Sequence, residues 1–423
     1  MQNRVVITGI GAVTSIGIGK KEFWTNILAH KRNIKEIPPR FERGGYKFKS
    51  RFHSPFPEFV LAAHGINTPY ENIMQEEDKA AILSAKLALT DAGFNVQSAG
   101  RTFKVDEISD SSVILGTGFS GLQNAFTSYL AHVFGDNKVL KELDNNIRYH
   151  RMVIPMTMPS SISAWISIIY GLKGSSHTIN ASCASGTIAI GEAFKRVRNG
   201  EDKVVITGGF ECMKEEYGGI MRGFDILDTL TKAEDGVPLP FSKKRSGFLC
   251  SDGAGCVLIL EELEHAKKRG ANIYAEIEDF RSNSDACNIL QIDSSGAQII
   301  KLLKELKGTK NIDYLNSHGT GTQLNDEVES MVIQKVFGDS AAQPYINSTK
   351  GIVGHTIGAS GALEAAVTAL SIKESKIHGN NIPDPMPNLN LVHKTMDLEV
   401  NYAISTSYGF GGHNSGLLFR SCK

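Results

Sequence analysis

Residues 178–198 read TINASCASGTIAIGEAFKRVR. A short β-branched run at 178–180 leads into a turn holding Cys183. The chain then enters a helix over 186–198 whose first turn is built from small residues. A strand that presents a nucleophile at the start of a helix suits acyl transfer. Most cysteines are inert structural ones, but here the helix N-terminus offers a positive dipole end and unpaired N–H groups. Both favour a thiolate and predict a lowered thiol pKa. Ala184, Ser185 and Gly186 leave room for a substrate.

The same pattern returns at 346–361, where INSTK precedes GHTIGASG. SVILGTG at 112–118 parallels YLNSHGTG at 314–321, and VVITGG at 204–209 parallels AISTSYGFGG at 403–412. Three elements recurring in one order predict a duplicated fold, with an N-terminal half at 1–260 and a C-terminal half at 261–423. Further strands are expected at 5–8 and 255–260, and further helices at 80–91 and 361–373. Short buried strands alternating with helices predict an α/β fold. The polar stretch 32–51 and the charged stretch 135–151 read as excursions from the core.

Composition narrows the function. The 423 residues carry 45 Lys plus Arg and 45 Asp plus Glu. A net charge of zero argues against a nucleic-acid partner, whose binding needs a basic surplus. Hydrophobic content of 41% and charged content of 21% are those of a globular chain. Six cysteines without a CxxC pair predict no disulfide framework and no zinc or other metal site, and fit a reducing cytoplasm. The opening MQNRVVITGIGAV lacks the features of a secretion signal, and no apolar run is long enough to span a membrane. The Gly-x-Gly stretches do not continue into a nucleotide-binding pattern, so no cofactor is expected.

Two histidines stand on loops corresponding to that of Cys183. His318 lies in NSHGTGT after a strand, and His355 lies in STKGIVGHTIG, five residues after Lys350. Glu364, on the following helix, is placed to pair with Lys350. One cysteine and two histidines make a nucleophile and two donors. GFGG at 409–412 is a turn whose amides could bind an oxyanion near Cys183.

RVVITGIGAVT at 4–14, ASCASGT at 181–187, NSHGTGT at 316–322, STKGIVGH at 348–355 and GFGGHN at 409–414 resemble, in order, the motifs of the elongating (KAS II-like) β-ketoacyl-acyl carrier protein synthases. The resemblance implies a thiolase-like, five-layered αβαβα fold and a dimer, either a homodimer or a heterodimer with a chain-length factor. It implies an acyltransferase whose partners are acyl- and malonyl-loaded carrier proteins. Cys183 matches the acylated nucleophile. His318 and His355 match the pair that holds the malonyl thioester, and Lys350 matches the family lysine, supported by Glu364. The N–H groups of Cys183 and Phe410 match the oxyanion hole. Phe410 also matches a gating residue, and Phe119 and Phe248 lie where the substrate binds.

Some residues depart from the family pattern. Phe119 stands where a smaller aliphatic residue is usual, and Glu76, Glu77, Asp78 and Asp225 stand where basic residues often meet the carrier. These departures favour the ketosynthase of a type II polyketide or specialised fatty-acid pathway over housekeeping elongation. Basic contacts are then expected at Arg148, His150 and Arg151, or at Lys195, Arg196 and Arg198. A thiolase would bring a second cysteine near the last loop, whereas Cys422 lies beyond it, and a non-catalytic chain-length subunit would lack Cys183.

Overall fold

The structure is a computed structural model that describes residues 2–42, 45–134, 151–214 and 217–422, without the side chains of 130–134. The elements that position the site are, in chain order, β1 (Val5–Thr14), α1 (Glu76–Asp91), β2 (Ser112–Gly116), α2 (Ser161–Tyr170), β3 (Ser176–Ile179), α3 (Ser185–Arg198), β4 (Val204–Cys212) and β5 (Gly253–Glu262). They continue with β6 (Ala275–Ser284), α4 (Ala297–Lys307), β7 (Tyr314–Asn316), α5 (Gln323–Phe337), β8 (Tyr345–Asn347), α6 (Ser360–Glu374), β9 (Tyr402–Gly409) and β10 (His413–Arg420).

The strands pair in the order β8-β7-β9-β10-β6-β1-β5-β4-β2-β3. Read outward from the centre, β1-β5-β4-β2-β3 and β6-β10-β9-β7-β8 are the same arrangement twice. β2 runs parallel to both its neighbours, and so does β7. β1 and β6 even share a bulge, after Ile7 and after Ile277. These two strands join the halves through the antiparallel pairing of Val5–Ile7 with Ala275–Ile277.

Strands covered on both faces need apolar residues at successive positions. In β5, Leu258 and Leu260 face one core, where α3 and α6 lie, while Val257 and Ile259 face a second core under α1 and α2. In β10, Leu417 and Phe419 face the central helices, and Leu418 faces α4 and α5. The layers are therefore helix, sheet, helix, sheet, helix, the thiolase-like αβαβα arrangement. α3 and α6 meet through glycines. A Cβ on Gly186 would lie 2.8 Å from the Gly358 carbonyl oxygen, and one on Gly361 would lie 2.6 Å from the Thr187 nitrogen. Alanine at either position would force the helices apart, at about 1–3 kcal/mol.

Two expectations change. The stretch 32–51 is not an excursion, because it buries Ile37, Phe41 and Phe48 in the apolar cluster that contains Cys183. Glu76, Glu77 and Asp78 form the first turn of α1, and only Glu76 faces outward. Asp78 accepts the Gln75 N–H at 2.9 Å as part of a capping box. Of the stretch 135–151, only Arg151 falls within the described residues, so Arg148 and His150 lie outside them.

Candidate active site

Cys183 sits in the turn Ser182–Ala184, between β3 and α3. The turn closes through Ser185, whose hydroxyl donates to the Ser182 carbonyl at 2.6 Å. The thiol is 6% exposed at the base of a cavity of about 530 Å³, which His318, His355, Phe248 and Phe410 also line.

His355 is brought to the thiol by the second copy of the strand–turn–helix unit. β8 ends at Asn347, and the short helix Lys350–Val353 and the turn after it place the ring before α6. Its Nε2 is 3.2 Å from the Cys183 Sγ. Its Nδ1 receives the Ile357 N–H at 3.3 Å and lies 3.0 Å from the Ser360 hydroxyl. A backbone N–H can only donate, so Nδ1 is the unprotonated nitrogen and Nε2 carries the hydrogen.

His318 follows β7. Lys350 Nζ, which can only donate as an ammonium, is 3.2 Å from its Nδ1, so here too the proton lies on Nε2. Lys350 is held by an ion pair to Glu364, both 1% exposed, and Ser407 donates to the same carboxylate at 3.4 Å. The two imidazole centroids are 5.7 Å apart with the rings nearly perpendicular. Burial, with the charge of Lys350 adding to it, pushes both histidines well below their ordinary pKa. Both are therefore neutral donors.

The thiol departs from expectation. Burial raises its pKa to about 11 and outweighs the groups that favour the thiolate: the Ser182 hydroxyl, the Lys350 charge and the Phe410 N–H, which points at the sulfur. The helix terminus does not offset the loss of water around an enclosed sulfur.

Phe248 packs edge-on against His355 at 4.9 Å, and Phe224 packs against Phe248 at 5.7 Å. Phe119 follows at 5.8 Å from Phe224. Phe410 packs on the same cluster as Cys183. Cys183, His318, His355, Phe248 and Phe410 line one cavity, Lys350 and Glu364 stand behind His318, and Phe119 lies beyond Phe224 and outside the cavity lining.

Three acids at the site escape sequence reading. Glu211, at the end of β4, accepts the N–H groups of Gly118 and Phe119 at 2.8 Å each and of Gly358 at 3.0 Å. It ties the Phe119 loop to the turn after His355. Glu329 accepts the N–H groups of His318 and Gly319, and Asp326 those of Phe241 and Gly321. A charged residue closing the otherwise apolar β4 was the available signal for Glu211. Asp225 is likewise internal, accepting from the Tyr46 hydroxyl and the Lys49 and Ser50 N–H groups. Lys195 and Arg196 are paired with Glu192 and with Asp202, in the last turn of α3. That turn stands roughly 20 Å along the helix from the thiol.

Residues 2–266 match the family described as beta-ketoacyl synthase, N-terminal domain, and residues 274–381 its C-terminal domain. The chain is 34% identical to 3-oxoacyl-[acyl-carrier-protein] synthase 2 of Staphylococcus aureus (strain N315), over 99% of this chain and 98% of that protein. It is 33% identical to the Synechocystis enzyme of the same name, with the same coverage of both chains. Among solved structures, a β-ketoacyl synthase from Burkholderia phymatum superposes with a TM-score of 0.83 at 30% identity, over all of both chains. A type II polyketide ketosynthase bound to its acyl-carrier protein superposes with a TM-score of 0.84 at 26% identity, again over all of both chains. With a thiol and two neutral imidazole donors at one cavity, and matches along nearly its whole length, this chain belongs to the β-ketoacyl synthase family of condensing enzymes.

Proposed function

We propose that the chain catalyses the decarboxylative condensation of an acyl group on Cys183 with a malonyl group delivered on a carrier protein. The observation that carries this reading is the pair of Nε2–H donors, on His318 and His355, beside the Cys183 sulfur. The sulfur attacks the carrier-bound acyl thioester. An S–C bond forms, the carrier's S–C bond breaks, and the carrier leaves as a thiol. Malonyl-carrier then occupies the cavity with its thioester oxygen between the two imidazoles. The bond to the carboxylate breaks, CO₂ leaves, and the electron pair becomes an enolate held by the two N–H groups. The enolate carbon attacks the acyl-cysteine, whose oxyanion faces the N–H groups of Cys183 and Phe410. The C–S bond to Cys183 then breaks, the cysteine leaves as a thiolate that takes a proton from water, and the carrier holds a β-ketoacyl chain.

The half at 1–260 supplies the nucleophile and the half at 261–423 the two histidines. The carrier docks at the cavity mouth, where Leu227, Leu290 and Leu324 are exposed and where Lys49 and Lys232 both pair with Asp228. The chain forms a dimer, with itself or with a chain-length factor. Phe119, one ring beyond Phe224 in the apolar cluster that holds Cys183, favours a specialised or type II polyketide pathway. Housekeeping fatty-acid elongation is the second reading, favoured by the higher identity to synthase 2 enzymes. The buried positions of Glu77, Asp78 and Asp225 remove them from this choice. Cys422 is exposed beside Glu276 and away from the cavity, which disfavours a thiolase.

Incubation with acyl-carrier followed by intact-mass measurement should add one acyl group to the wild type and none to Cys183→Ala. The alanine variant should still release CO₂ from malonyl-carrier. Condensation by that variant would refute the assignment.

A further inference from the structure

Ser182 places a hydroxyl at a backbone position that does not favour a side chain. Its φ is 53°, in the left-handed region where glycine is at ease and other residues are uncommon. The turn itself uses the Ser182 carbonyl, which accepts from Ser185 at 2.6 Å, and the Ser182 N–H, which donates to Asn180 Oδ1 at 3.3 Å. Neither contact needs the Ser182 side chain. The hydroxyl is 3.8 Å from the Cys183 sulfur, within reach of a hydrogen bond to sulfur.

The other two groups at the sulfur, the His355 Nε2–H and the Phe410 N–H, are fixed donors. Neither can receive the hydrogen of a thiol. A hydroxyl both accepts and donates, and it rotates freely about its C–O bond.

We propose that Ser182 is a catalytic residue whose hydroxyl accepts the Cys183 S–H hydrogen bond in the resting enzyme and turns to donate to the sulfur when the thiolate forms. No covalent bond to Ser182 is made or broken. During acyl transfer the thiol proton passes to the departing carrier sulfur, and in alkylation it passes to water. The hydroxyl thus supplies a third donor to a sulfur from which water is largely excluded. The inference deepens the proposed function by naming a further residue of the first half-reaction, but its test needs no carrier protein.

The experiment is the pH dependence of iodoacetamide alkylation at Cys183, read by peptide-resolved mass spectrometry because Cys287 and Cys422 are also exposed. Wild type is compared with Ser182→Ala and Ser182→Gly. Both variants lack the hydroxyl, and the glycine also relieves the left-handed backbone, so it should fold. Both should move the alkylation midpoint upward by about one pH unit, roughly a tenfold slower reaction below the midpoint, the scale expected for one hydrogen bond to a charged group. An unmoved midpoint in both variants, or a shift in only one, would overturn the proposal, the latter by pointing to backbone conformation. Wild-type protein that alkylates normally but takes no acyl group from a carrier would refute the proposed function and leave this test readable.

Discussion

The Nδ1 atoms of His318 and His355 face groups that can only donate, an ammonium and a backbone amide. The rings are therefore committed to one tautomer before any substrate arrives, and no reorganisation is needed when charge develops. Removing one such donor typically costs about 10²–10³ in rate. His318→Ala should lose CO₂ release from malonyl-carrier by that factor while Cys183 is still acylated, because His355 and not His318 touches the sulfur. Paired single-turnover measurements of acylation and CO₂ release check this. Equal loss in both steps would mean that His318 serves the cysteine.

The residues of this machinery are legible in the sequence because each sits on a short loop of Gly, Ser and Thr between a strand and a helix. The Lys350–Glu364 pair is legible as a cation and an acid within one loop-and-helix unit. The ionisation of Cys183 is not, because enclosure by Phe248, Phe410 and Ile357 is a property of the assembled cluster.

At the scale of elements, buried carboxyls hold the loops that carry the site. Glu77, in the first turn of α1, accepts from the Ser120 hydroxyl, the Gly121 N–H and the Gln123 side chain. The sequence offers three acids in a row, which read as part of the surface that meets a carrier. The groups Glu77 binds lie 43 and more residues away and are visible only once folded. Burial, with Asp78 adding to it, raises Glu77 to about 8. The folded chain then holds this proton more tightly than the unfolded chain, so the stabilisation is complete below the ordinary carboxyl pKa and is lost as pH rises through about 8. A tenfold difference in proton affinity between the two states corresponds to about 1.4 kcal/mol. Wild-type melting temperature should fall between mildly acidic and mildly alkaline pH, and Glu77→Gln should flatten that slope. Parallel slopes in thermal melts would rule out Glu77 as its source.

The loop so held ends in Phe119, whose N–H is also fixed by Glu211. Phe119→Ala opens the wall beyond Phe224, and each additional buried methylene gains about 0.8 kcal/mol. The variant should accept acyl chains one to several carbons longer. Chain-length profiles compared at equal folded fraction check this, and an unchanged profile with lower stability would make Phe119 ordinary core.

At the scale of the whole molecule, β3 is an edge of the sheet among the described residues, and Ser176 and His177 on it are exposed. Exposed Phe126, Tyr129, Ile154 and Ile168 lie on the helices Leu122–Phe134, Val153–Thr157 and α2, which pack on one another beside this edge. An unprotected strand edge next to an apolar surface is a place for a second chain. Ile154→Asp with Ile168→Asp should convert the proposed dimer to monomer in light scattering. A dimer untouched by both changes would locate the interface elsewhere. The duplicated order of strands is anticipated by the paired motifs. The joining of both halves into one sheet through β1 and β6 is not, because that pairing involves residues with no local turn between them.

The Cys183–His355 contact spans 172 residues of chain, and the turn bearing Phe410 comes later still, between β9 and β10. Translation delivers the nucleophile long before its partners. A ribosome-bound fragment that ends between Cys183 and that turn has the cysteine but neither the full set of donors nor the walls of the cavity. The cavity is therefore completed late in synthesis, when the last two strands fold onto the turn that bears Cys183.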